Sequence, residues 1–245
     1  MDFLKDDETL DDLELKGIMV IQKKKAFRFG VDAVLLANYA RVARGMKVLD
    51  LCTGTGIIPF VLAGKTEADN ITGIEIQENM VEMAERTVKY NKLEERINFF
   101  SEDLRNISFL KGLPKVDVVT VNPPYKLANS GIINQDKAEA IARHEICCTL
   151  EDVIIAGMQV LKDGGRMFMV HRPERLADIF CTMRKHRMEP KSVRMVYPSL
   201  GKAPNIVLVE GQKYGGVFLK WEPSLYIHEE NGDYTEEINK IYGRK

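Results

Sequence analysis

No apolar run in the 245 residues approaches the ~20 that a membrane-spanning helix requires. The chain opens on MDFLKDDETLDDLELKG, which lacks the basic start of a secretory signal. Cysteine is scarce. The four present, Cys52, Cys147, Cys148 and Cys181, form no C-x-x-C pair, and no Cys/His cluster has zinc spacing. That argues against a zinc ribbon or a disulfide framework, and it leaves a reduced cytoplasmic protein with no metal as the expectation. Internal repeats and low-complexity tracts are missing as well, so solenoid and disordered classes drop out.

What is present suits a globular fold. Hydrophobic residues make up 45% of the chain, enough for a core. The net charge of −1 says little about partners, but its distribution says more. Residues 1–15 carry seven acids and one base, whereas residues 162–220 carry twelve Lys/Arg against five Asp/Glu. Basic clusters occur at Lys23, Lys24, Lys25 and Arg28, and at Arg184, Lys185 and Arg187, with Arg172 nearby in sequence. Such asymmetry fits a nucleic-acid footprint. Ordinary solvated helix faces explain each single cluster equally well.

From residue 45 onward apolar strands alternate with helices. MKVLDLC, NITGIEI, INFFSED and VDVVTVN read as the first four strands, with helices over GIIPFVLAGK and QENMVEMAERTVKYNK. LEDVIIAGMQVLKDGG reads as a helix closed by Gly164–Gly165, RMFMVHR as the fifth strand and PERLADIFCTMRKHR as a helix. SVRMVYP, NIVLVEGQ and GVFLKWE read as closing strands, the last two as a hairpin. The first fifteen residues read as loosely ordered, GIMVIQKKKAFRFG as a hairpin or extended pair, and VDAVLLANYARV as a helix. Continuous apolar strands imply a parallel sheet covered on both faces. The expectation is an α/β, doubly wound, mostly parallel seven-stranded sheet with an antiparallel C-terminal edge. Residues 1–44 form a lead-in packed on a core of residues 45–245.

VLDLCTGTGIIPF places Gly54 and Gly56 in the turn after the first strand, where ligands sit in doubly wound folds. A dinucleotide fingerprint would need glycine at 59; Pro59 stands there, which counts against NAD. Asp50 ends the first strand, Glu75 the second, and Asp103 follows the third. A rim of carboxylates repels pyrophosphate but suits a cation bearing an amine and a ribose, a description that S-adenosylmethionine meets. Glu75 is assigned to the ribose hydroxyls, Asp50 to the cationic methionine end and Asp103 to the adenine amine. Cys52, Thr53, Ile76 and Leu104 complete the expected cofactor set, Cys52 as a small packing residue rather than a nucleophile.

The fourth strand runs into Asn122-Pro123-Pro124-Tyr125. Prolines fix φ and cannot donate, so this turn presents rigid acceptors, the Asn122 side-chain oxygen and the Pro123 carbonyl. Two fixed acceptors can hold an –NH₂ by both hydrogens and aim its lone pair for in-line transfer. Tyr125 offers a π-face for a planar base or amide, and Asn122 also borders the cofactor.

DLCTGTG, GIEI, SEDL and VNPPY together resemble the amino-group branch of class I S-adenosylmethionine-dependent methyltransferases. Cys52 departs from that family's usual glycine, which raises a question about local backbone geometry. FRFGVDAVLLANYA narrows the resemblance to bacterial enzymes that methylate adenine N6 in the anticodon loop of valine tRNA. There the segment packs over the cofactor, which implies roles for Phe29, Gly30 and Asp32. ARHE, Ala142 to Glu145, also resembles that family and implies substrate-facing roles for Arg143 and His144; a solvated helix start explains the same residues. The resemblance implies a tRNA partner and a monomer or homodimer. Three rivals stay open: a glutamine-N5 protein methyltransferase, an rRNA guanine-N2 methyltransferase, and a cofactor-binding RNA module without catalysis.

Overall fold

The computed structural model describes residues 3–24, 30–123 and 148–244. Lys25, Arg28, Phe29, Pro124, Tyr125, Arg143 and His144 lie outside the described residues.

The apolar runs become strands where expected. β3 (Lys47–Leu51), β4 (Asn70–Glu75), β5 (Ile97–Ser101) and β6 (Val116–Val121) are parallel. β7 (Leu161–His171) joins β6 in parallel, β9 (Ile206–Lys213) runs antiparallel to β7, and β8 (Met188–Ser199) antiparallel to β9. These seven strands lie in the order β5-β4-β3-β6-β7-β9-β8. β3 and β4 are almost wholly buried, as a sheet covered on both faces requires. One face carries α1 (Val31–Tyr39), α2 (Ile57–Lys65) and α3 (Glu78–Asn91) over a core that includes Val48, Phe60, Ile71 and Phe99. The other carries α4 (Ile107–Gly112), α5 (Leu150–Val160) and α6 (Leu176–Lys185) over Leu49, Ile74, Val119 and Met167.

Four sequence expectations need correcting. The helix over LEDVIIAGMQV stops at Val160 and does not reach the glycine pair. Its Thr149 and Asp152 form a reciprocal capping box at the start. At the other end Leu161 already belongs to β7, and Gly164 turns within that strand at φ +76°. The acidic N-terminus is not loose. β1 (Glu8–Asp12) pairs with β2 (Met19–Lys23) in an antiparallel hairpin laid on α3. Glu8 is buried and takes a bidentate pair from Arg86, 2.7 Å at each oxygen, so an acid that reads as disorder is a fastener.

The hairpin expected at the C-terminus also rearranges. β9 pairs with β8, and only Lys220 and Trp221 of GVFLKWE form a strand, β10 (Lys220–Trp221), parallel to β8. The chain then adds two elements that the sequence pattern did not suggest: β11 (Leu225–His228), also parallel to β8, and α7 (Glu236–Ile241), which buries Ile238. The sheet therefore has nine strands, the seven in the order above plus β10 and β11, which pair with β8 along the side that β9 leaves open.

Candidate functional site

The carboxyl ends of β3, β4, β5 and β6 meet at one edge. Register fixes what meets there. Asp50 pairs across the sheet with Gly73 on β4, two residues before that strand ends, and with Thr120 on β6, one residue before its end. Gly73 lacks a side chain for a steric reason: an added Cβ would lie 2.4 Å from Phe99 and 2.9 Å from the Thr53 methyl.

Asp50 is fully buried. The Thr53 hydroxyl donates to its Oδ2 and the Thr120 hydroxyl to its Oδ1, both at 2.6 Å. Burial nevertheless pushes its pKa up to about 7, against the pull of those two donors, and the neighbouring Glu75 adds to the rise. Glu75 is also buried; its Oε2 accepts from the Gly54 N–H at 3.0 Å, and its Oε1 accepts from the Gln77 amide and side chain at 3.2 and 3.1 Å. The glycine loop and the second-strand acid are thus directly bonded. Ile76, next along the chain, is 41% exposed, an apolar surface beside a carboxylate.

Three successive alternate residues of the loop, Cys52, Gly54 and Gly56, have positive φ, of 56°, 56° and 82°. Cys52 adopts the left-handed geometry although it is not glycine, which costs roughly 1–2 kcal/mol. The backbone shape is kept across the departure noted in the sequence. The two glycines differ in surroundings. A Cβ at Gly54 would meet nothing within 4 Å, so the space beside it is open, whereas a Cβ at Gly56 would lie 2.5 Å from the Phe99 ring. Cys52 Sγ is 3.9 Å from Cys148 Sγ, and that contact together with burial pushes the Cys52 thiol well up.

β6 delivers Asn122 and Pro123 beside this loop, because Val121 pairs with Leu51 and the next residues leave the sheet together. Gly30 caps α1 and Asp32 lies in its first turn, with α1 packed on α2 just after the loop. Leu104 is buried under the same edge. Asp103 is more engaged than the sequence suggested. Arg105 grips its carboxylate at 2.6–3.0 Å and holds it below the usual carboxylate range.

The basic residues divide. Arg172 leaves β7 at the edge that carries Asp50 and donates to the Asn205 carbonyl at 3.0 Å. Lys23 pairs with Asp7 at 2.7 Å and Lys24 reaches the Asp6 carbonyl at 2.8 Å, so the acidic N-terminus holds both. Arg184, Lys185 and Arg187 sit at the opposite edge: Met188 pairs with Lys213, next to Gln212, whose partner Arg166 lies opposite Val118 near the start of β6. They do not share the edge of Asp50 and Glu75. Sequence reasoning missed two groups at the site. Thr120 was visible as the one hydroxyl in an apolar strand. His171, buried at the end of β7, is lowered by burial to about 4 and is neutral at physiological pH. Among the described residues no cluster of His, Cys, Asp and Glu could hold a metal ion, and no helix is long and apolar enough to cross a membrane.

Comparison with known proteins converges on one chemistry. The family model of the methyltransferase small domain matches residues 28–184. A Porphyromonas gingivalis protein named tRNA1(Val) (adenine(37)-N6)-methyltransferase is 27% identical over 239 residues, covering 94% of this chain and 93% of that protein. A Bacteroides thetaiotaomicron protein of the same name is 31% identical over 166 residues, covering 67% of this chain and 68% of that protein. Among solved structures, a predicted O-methyltransferase from Agrobacterium tumefaciens superposes with a TM-score of 0.70 at 22% identity, covering 86% of this chain and 95% of that one.

Proposed function

The chain belongs to the methyltransferase small domain family, and from that premise we propose that it methylates the N6 amine of an adenine in tRNA, with S-adenosylmethionine as donor. The adenine of the valine tRNA anticodon loop is the expected target, since the Porphyromonas and Bacteroides relatives carry that name. The observation that carries the reading is the β3–β6 register, which brings Asn122 and Pro123 out of the sheet beside the glycine loop. A base held by the one is adjacent to a ligand cradled by the other.

The residues fit this donor. Open space lies beside Gly54, an exposed apolar surface at Ile76, and two buried carboxylates at Asp50 and Glu75. After its three present bonds Glu75 has an acceptor site left at Oε2 for one ribose hydroxyl, and release of the Gln77 side chain would free Oε1 for the second. Asp50 places negative charge under the loop, held in one orientation by Thr53 and Thr120. S-adenosylmethionine supplies an electrophilic methyl on a sulfonium.

The chain's own work is orientation. The Asn122 side-chain oxygen and the Pro123 carbonyl accept the two amine hydrogens, which turns the nitrogen lone pair away from them. Pro123, with no N–H and a fixed φ, keeps those acceptors from rotating. Orientation of this kind is worth up to roughly 7–11 kcal/mol in ideal intramolecular models. Tyr125 is assigned to stacking on the base from its place in the motif.

Unmodified tRNA incubated with the protein and methyl-labelled donor, then digested to nucleosides for mass spectrometry, tests the reading. Label in N6-methyladenosine is expected. Label in N2-methylguanosine, or in protein glutamine and not RNA, would overturn it.

A further inference from the structure

The edge of the sheet remote from Asp50 carries a loop that no role above uses. Residues 214–219 leave β9 and lead into β10; Leu219 packs against the core, while the other large side chains of the loop are exposed. Val217 is 80% exposed, Phe218 78%, Trp221 61% and Tyr214 55%. Large apolar side chains clustered at such exposure mark an interaction surface. Two of the three aromatics are held outward against backbone preference, Tyr214 at φ +55° and Phe218 at φ +145°. Strain of this kind costs of the order of what a surface hydrogen bond contributes, and it persists where the surroundings over-determine it.

The loop is fastened onto the basic cluster. The Tyr214 N–H donates to the Arg187 carbonyl at 2.9 Å, and Lys191 Nζ donates to the Gly216 carbonyl at 2.9 Å. Lys213 Nζ lies 5.4 Å from the Tyr214 ring centroid. Residues 184–191 bring Arg184, Lys185, Arg187 and Lys191 against one acid, Glu189, and residues 213–221 bring Lys213 and Lys220 against none. Acids from neighbouring segments take Arg184, Lys185, Lys213 and Lys220, leaving the exposed Arg187 without a side-chain partner among the described residues. Three outward rings interleaved with cations form a stacking platform beside positive charge. That is the chemistry of unpaired RNA, whose bases have π-faces and whose backbone is anionic.

We propose that this loop and the basic turn beneath it are a second RNA contact, which stacks unpaired bases of the substrate tRNA on Tyr214, Phe218 and Trp221 while the methylated base sits at the opposite edge. The proposal rests on the tRNA reading above. The two surfaces are about 20 Å apart along the strands, the length of the six-residue strand β6, and further still across the sheet, because β10 lies four strands from β6. A folded tRNA exceeds that span several times over. A bilayer or a second copy of the chain would also cover exposed rings; aromatic faces set among cations, rather than an aliphatic patch, favour RNA.

The test compares wild type with two variants, Phe218→Ser/Trp221→Ser and Arg187→Gln/Lys220→Gln. All four side chains are exposed and outside the catalytic edge. Measure tRNA affinity over a salt series, donor affinity by calorimetry, solution mass, and binding to phosphatidylserine vesicles. The aromatic variant is expected to lose about tenfold in tRNA affinity with its salt slope unchanged. The charge variant should flatten the slope of log affinity against log salt by about 1.4–1.8, from two lost phosphate contacts. Donor affinity and mass should hold in both. Equal affinity and slope in all three proteins, with wild type binding tRNA, would overturn the second contact alone. So would a loss confined to vesicle binding or a change in solution mass. Wild type that binds no tRNA at any salt would overturn the tRNA reading, and this inference with it.

Discussion

The two edges of the sheet hold their charges in opposite ways. At the edge of Asp50 and Glu75 the carboxylates are buried, and each oxygen is bonded by a hydroxyl or an amide from β6, the glycine loop or the turn after β4. At the opposite edge Arg184, Lys185 and Lys220 are exposed and paired with single surface acids. The first arrangement holds each carboxylate in one orientation and pushes a pKa; the second fixes little, because water screens exposed pairs. Chemistry on one amine needs the first. Attraction for a polyanion needs only the second.

Titration breaks the comparison most strongly. The folded pKa of Asp50 stands at about 7, above its unfolded value of 3.8. A group raised in this way favours the folded state fully below the unfolded pKa, and that contribution is lost as pH rises through the folded one. Three units correspond to roughly 4 kcal/mol as an order of magnitude. The stability difference between wild type and Asp50→Asn, from urea unfolding at several pH values, should therefore shift against wild type between about pH 4 and 7 and level off above. A difference that stays constant across that range would remove Asp50 from the buried network. Neutralising Lys185 at the other edge should leave stability within about 0.5 kcal/mol at every pH.

Backbone substitutions come next. Gly56→Ala combines a left-handed φ with a 2.5 Å approach to Phe99, so thermal unfolding should show a loss of more than about 2 kcal/mol. Gly54→Ala meets open space and should cost only the φ penalty of roughly 1–2 kcal/mol, with a larger loss in donor binding than in stability. If the two variants melt together, packing against Phe99 is not what sets Gly56. Glu75→Ala should weaken donor affinity by about 1–3 kcal/mol in calorimetry, and wild-type affinity would refute its assignment.

The smallest effect is at Cys52. Cys52→Gly relieves the left-handed strain but adds chain entropy to the unfolded state, so stability should change by less than about 1 kcal/mol. Cys52→Val, β-branched at the same φ, should be clearly worse. Equal loss in both would place the cost in the contact with Cys148 instead.

The same division explains what the sequence reveals. β3, β4 and β6 were legible because buried parallel strands are continuously apolar, and the acids at their ends followed from strand order alone. Asn122 was legible for the same reason. GVFLKWE shows the limit. Its apolar letters read as a strand, but Val217 and Phe218 are solvent-exposed, and composition cannot tell an apolar residue in a core from one on a contact surface. The acidic N-terminus failed in reverse: charge read as disorder, while Glu8 is buried against Arg86, a partner 78 residues away that local pattern cannot supply. Basic clusters were visible as composition, but only the β8–β9 register reveals that Arg184, Lys185 and Arg187 lie away from the carboxylates.

On the proposed function, Asn122 orients the accepting amine and does not hold the donor. Asn122→Ala measured for both properties tests it most directly. N6-methyladenosine formation in tRNA should fall by at least a hundredfold, while donor affinity from calorimetry stays within about threefold of wild type. Turnover that persists within a few-fold, or a loss of donor binding that matches the loss of turnover, would rule out that role for Asn122.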